Sequence, residues 1–86
     1  MLRFNQNKIN YRKEEFGGLI INIETGKTYK LNKTGYRIFL SLYDGVELKK
    51  LIKDLKKEFR VDKNRIRNDI KDFVDELIEE GFASRN

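Results

Sequence analysis

Leu19-Ile20-Ile21-Asn22-Ile23-Glu24-Thr25-Gly26-Lys27-Thr28-Tyr29-Lys30-Leu31-Asn32 reads as two short strands around a turn. β-branched and aromatic residues dominate its two arms, and Glu24-Thr25-Gly26-Lys27 is turn chemistry. A three-residue loop with Gly26 in the left-handed region predicts a bulged hairpin. That register places Leu19 and Ile21 on the same face as Tyr29 and Leu31, which gives one consistent apolar side. From Asn32 onward the apolar period changes from two to about 3.6, so sheet gives way to helix at that residue.

Working outward, Lys8-Ile9-Asn10-Tyr11-Arg12 alternates weakly and supplies a first strand, with Gly17-Gly18 opening the second. On the C-terminal side, Asn32 or Thr34 is placed to cap a short helix. Ile38, Phe39, Leu42 and Tyr43 line one side of it, and Asp44-Gly45 ends it. A second helix spans Glu47 to Phe59, with Leu48, Leu51, Ile52, Leu55 and Phe59 spaced for burial. Lys49, Lys50, Lys53, Lys56 and Lys57 lie on its other side. A third begins with Asp62 as cap and runs to Glu80, turning Ile66, Ile70, Phe73, Val74, Leu77 and Ile78 inward. Gly81 stops it, Phe82 folds back onto it, and the last few residues fray. Three strands followed by three helices predict an α+β domain: a winged-helix-like fold with a three-stranded antiparallel sheet followed by three helices, all in one domain, residues 1–86.

Composition narrows the function. The chain has 86 residues with no Cys and no His. Disulfides, thiolate or imidazole metal ligands, Cys nucleophiles and the usual neutral-pH proton carrier are therefore excluded. No Asp-x-Asp-x-Asp-Gly calcium loop and no Gly-rich phosphate loop is present. No catalytic residue, metal site or cofactor is expected, and the reading is that of a binding protein rather than an enzyme. There is no apolar run near the roughly 18 residues of a membrane span, and Met1-Leu2-Arg3-Phe4 does not open a signal peptide. A cytoplasmic location and no membrane partner follow as expectations.

The net charge of +5 favours an acidic partner, but its distribution matters more than its sum. Residues 62–81 carry four cations and seven carboxylates, a net of −3. Helices two and three, joined at Arg60-Val61, make a helix-turn-helix, so a winged-helix DNA-binding protein is the rival reading. Its recognition helix would be that acidic segment, with Asp69, Asp72, Asp75 and Glu76 in its middle. Asn64, Arg65, Asn68 and Lys71 remain available to read bases. Nucleic acid is nonetheless disfavoured as a partner. A third reading is a subunit whose sheet edge only dimerises.

Several motifs in order carry a likeness. Glu15-Phe16-Gly17-Gly18 leads a strand, Glu24-Thr25-Gly26-Lys27-Thr28-Tyr29 makes the hairpin, and Leu31-Asn32-Lys33-Thr34-Gly35 opens the first helix. Asp44-Gly45 closes that helix, and Asp69-x-x-x-Phe73-x-x-x-Leu77-x-x-x-Gly81 runs along the last one. Across roughly residues 8 to 83 this resembles the PqqD-like family, the peptide-recognition domains of ribosomally made, post-translationally modified peptide pathways. The resemblance implies that the leader part of a precursor peptide adds as a strand beside the third strand, in a groove walled by the third helix. It also implies presentation of the peptide to a maturation enzyme, such as a radical S-adenosylmethionine enzyme or, in lasso-peptide pathways, a leader peptidase.

Carried onto this chain, the augmenting edge is Lys27, Thr28, Tyr29, Lys30, Leu31 and Asn32. The helical wall, Asp62 to Leu77, offers Arg65, Ile66, Asp69, Ile70 and Phe73. Strand addition is physically apt, because an edge strand is a row of unpaired N–H and C=O groups that any backbone can satisfy. Plainer roles stand beside these. Ile66, Ile70, Phe73, Val74 and Leu77 are also ordinary core positions, and Lys27, Thr28 and Lys30 also suit a solvated edge. Arg65, Arg67 and Lys71 also suit a surface with the pairs Arg65–Asp69 and Lys71–Asp75.

Overall fold

The computed structural model describes residues 2–85. In chain order the elements are β1 (Leu2–Phe4), a 3-10 turn (Gln6–Lys8), β2 (Ile9–Glu14), β3 (Gly17–Asn22), β4 (Thr28–Asn32), α1 (Lys33–Tyr43), α2 (Leu48–Phe59), α3 (Lys63–Glu79) and β5 (Ala83–Arg85). β2, β3 and β4 form an antiparallel sheet in that order, with three helices after it, as expected.

The helix boundaries follow local chemistry. The Asn32 side chain accepts a hydrogen bond from the Gly35 N–H at 2.7 Å and caps α1. At the end of α3, Phe82 N–H donates to Leu77 C=O at 2.9 Å and Gly81 N–H to Ile78 C=O at 3.1 Å. With Gly81 at φ +82° this is a Schellman stop. Phe82 is driven into the core and is fully buried, as its place after the glycine predicted.

Two apolar clusters hold the layers. One lies between the sheet and the helices and contains Ile9, Ile20, Leu31, Tyr36, Phe39, Leu77, Phe82 and Ala83. The other lies among the three helices and contains Ile38, Leu51, Ile52, Leu55, Ile66 and Ile70. Phe73 packs against both. Gly18 lies flat under the Tyr36 ring, where a β-carbon would overlap the ring carbons.

The hairpin register differs from the bulged one predicted. Ile20 pairs with Tyr29 and Gly18 with Leu31, so Ile20 shares the core face with Tyr29 and Leu31. Leu19 and Ile21 instead face away, opposite Lys30 and Thr28. The cause is Asn22. Its Oδ1 accepts from the Glu24 and Thr25 N–H groups, and its C=O accepts from Gly26 N–H at 2.7 Å. The loop thereby gains a residue, Ile23, and every side chain of β3 changes face relative to β4, whose Tyr29 and Leu31 stay on the core side. A polar residue that read as outward is buried because it organises the turn.

Three further expectations fail. The C-terminal segment does not fray: β5 pairs with β1, Leu2 with Arg85 and Phe4 with Ala83, in a second two-stranded sheet. Leu48 and Phe59 are 49% and 45% exposed, because they stand at the two ends of α2 where its periodic face outruns the helices that cover it. Asp75 bonds Arg85 at 2.8 Å rather than Lys71, and no Arg65–Asp69 pair forms among the described residues. No helix is long and apolar enough to cross a membrane, among the residues described.

Candidate functional site

β4 is an edge strand, and its register dictates which backbone groups are free. Asn22 N–H donates to Lys27 C=O at 2.8 Å, which sets the phase of the ladder. Hydrogen-bonded pairs recur every second residue, so Tyr29 and Leu31 spend their backbone groups on Ile20 and Gly18. Those of Thr28 and Lys30 then point off the sheet with no strand beside them.

α3 runs antiparallel along this edge. Lys27, just before β4, is ion-paired with Glu80, just after α3. The Glu76 carboxylate beside the Tyr29 hydroxyl, burial, and the charges of Glu80 and Glu79 push the phenol up to about 12. Past the other end of β4, Thr34 of α1 meets Arg65 and Asp69 of α3 in one pocket. Arg65, Asp69, Phe73, Glu76 and Glu80 recur every three or four residues, so they form one stripe facing β4.

That pocket is an open hollow of about 270 Å³ lined by Ile38, Leu55, Phe59, Val61, Ile66 and Ile70, with Thr34, Arg65 and Asp69 at its polar edge. It gathers four of the five predicted wall residues, Arg65, Ile66, Asp69 and Ile70, but not Phe73. The exposed Phe59 ring, unexplained as core, is part of its lining.

The structure sorts the strand candidates into three groups. Tyr29 faces the α3 stripe, and Leu31 is core. Asn32 has committed its side chain to the α1 cap. Thr28 and Lys30 turn their side chains to the other sheet face, where the Lys30 ammonium sits 4.4 Å from the centre of the Phe16 ring. Only their backbones reach the free edge. Ile66 and Ile70 are mostly core, Phe73 is half-buried between the clusters, and Arg65 and Asp69 are exposed. Sequence reading missed Glu76, Glu80, Thr34, Leu55, Phe59 and Val61. The three- and four-residue spacing from Arg65 to Glu80 was the available signal for the first two.

The sequence profile of coenzyme PQQ synthesis protein D (PqqD) matches residues 17–83. Among solved structures, the chain is similar to "Lasso peptide synthetase B1 complexed with the leader peptide", with TM-score 0.88, 25% identity, and 98% of each chain covered. It also matches "TbiB1 in Complex with the TbiA(beta) Leader Peptide", with TM-score 0.88, 18% identity, 98% of this chain and 96% of that one. No curated protein sequence matches it.

Proposed function

The chain belongs to the PqqD family, and on that premise we propose that it binds the leader segment of a ribosomally synthesised precursor peptide by strand addition to β4. It then presents the rest of the peptide to a maturation enzyme, a radical S-adenosylmethionine enzyme or a leader peptidase, in the cytoplasm. The domain contributes no chemistry and needs no cofactor.

The observation that carries this reading is the free backbone row at Thr28 and Lys30 running beside α3 and ending at the Phe59 pocket. An added strand satisfies that row whatever its sequence, and the pocket selects an apolar side chain from it. The likeness over 98% of both chains to a protein held with its leader peptide supports the same choice of ligand. Lys27, Tyr29, Leu31 and Asn32 hold the edge in place, while Arg65, Ile66, Asp69, Ile70 and Phe73 form the wall. The expected contact is about 1,000 Å², the weak, transient class of interface that suits delivery.

Titration of labelled protein with the leader segment of its precursor, followed by NMR, tests the reading. Shifts concentrated at 27–32 and along 62–77 are expected. Their absence, with salt-sensitive shifts of Asn64, Arg65 and Lys71 on adding duplex DNA, would replace it with the winged-helix DNA-binding reading.

A further inference from the structure

Five cations of this chain gather in one place. A groove of about 430 Å³ between α2 and the start of α3 is lined by Lys49, Lys53, Lys56, Lys63 and Arg67, with Ile52 as its only other lining residue. Among the described residues none of these five cations pairs with a carboxylate. Setting them aside leaves 14 of the 19 Lys and Arg, equal to the 14 Asp and Glu. The groove thus gathers as many cations as the chain has in excess. Converging like charges oppose folding, so their placement here serves something other than the fold.

We propose that this groove docks an acidic segment of a partner protein, and does so while the β4 groove is occupied. Lys49 to Lys56 spans seven residues of helix, about 10 Å, which fits carboxylates spread over two turns of a partner helix or a short extended run. Duplex DNA fits less well. Proteins that bind it commonly neutralise about 6–10 phosphates, and a duplex lying along α3 beyond Arg67 meets Asp72 and Asp75.

The two grooves do not compete. Lys63 and Arg67 line one, Arg65 and Asp69 the other. Residues two apart stand about 200° apart around a helix, so α3 separates the sites with its own width. Simultaneous occupancy is the only part of the proposal that rests on the leader-peptide reading.

The test uses the full chain, a labelled oligoglutamate peptide and fluorescence anisotropy at low and physiological salt. Reversing two exposed groove lysines together (K53E/K56E) is expected to weaken binding about tenfold or more, the effect of about 1.4 kcal/mol. Reversing two exposed cations elsewhere (R3E/K13E) changes net charge equally and is expected to weaken it less than about threefold. Equal losses in the two variants would overturn the proposal, because binding would then follow net charge alone. So would tighter binding of a random-sequence duplex of matching charge, which would make the face a nucleic-acid surface. If leader capture fails in the wild-type chain while oligoglutamate binding stays groove-dependent, the strand-addition reading falls, and of this proposal only simultaneous occupancy falls with it.

Discussion

Lys27 and Glu80 close one end of the β4 groove, pairing the residue before the strand with the residue that caps α3. One Glu80 oxygen has no other partner and is buried from solvent. Removing the lysine therefore strands a shielded carboxylate, whereas removing the carboxylate strands only an exposed ammonium. Lys27→Ala is expected to destabilise by about 1–2 kcal/mol and Glu80→Gln by under about 1 kcal/mol. Urea unfolding checks the order, and equal losses would show that the pair closes nothing.

Proline at Lys30 removes a donor from the free edge and leaves the ladder to β3 intact. Lys30→Pro is expected to fold and to lose leader affinity at least about tenfold more than Lys30→Ala, since one ladder bond and its strand geometry go together. Thr28→Pro is expected to behave likewise. Tyr29→Pro, which breaks the internal ladder, is expected to unfold the hairpin. Circular dichroism and calorimetric titration of the four variants check this, and Pro and Ala variants that bind alike while folded would remove strand addition from this edge.

Phe73 packs against both clusters, and on the strand-addition proposal it also borders the groove. Being only half-buried, Phe73→Ala is expected to cost about 2–4 kcal/mol, toward the lower part of the range for aromatic truncation. Phe73→Leu keeps most of the volume and is expected to cost under about 1.5 kcal/mol while still weakening leader binding. Thermal unfolding beside titration separates the two effects.

Tyr29 gives a pH signature. Its phenol is raised from 10.0 to about 12 in the fold, so between those values the unfolded chain has released a proton that the native one retains. Stability is therefore fully present below pH 10 and is lost as pH rises toward 12. Tyr29→Phe is expected to remove about 1–2 kcal/mol of that alkaline decline, after allowance for solvent screening. Unfolding free energies of both proteins from pH 8 to 12 measure it.

Gly18 beneath the Tyr36 ring predicts a steric effect. Gly18→Ala is expected to destabilise by about 1–3 kcal/mol because the ring must move. Combining it with Tyr36→Leu is expected to recover part of that loss, which a double-mutant cycle detects.

Features written in local chemistry were legible from the sequence. The Asn32 cap, the Gly81 stop with Phe82 behind it, and the core stripe of α3 each depend on residues a few positions apart. The misread features depend on distant partners. The strand register turned on the side chain of Asn22, whose amide also reaches Gly81 C=O at 3.5 Å, 59 residues away. The β1–β5 pair joins segments at opposite ends of the chain, with no alternation long enough to announce either. In the candidate site, the position of β4 as an edge strand was legible, but the orientation of its individual residues was not. On the strand-addition proposal Thr28 and Lys30 act through their backbones, and a composition pattern reads only side chains.

The small β1–β5 sheet has an architectural consequence. Leu2 and Arg85 are cross-strand partners, so the two ends of the described chain stand within about 5.5 Å of each other. A unit whose entrance and exit coincide can be spliced into a surface loop of a host protein as readily as it can be joined to one end. Such a graft would carry the β4 edge and the cationic groove with it, since neither uses β1 or β5.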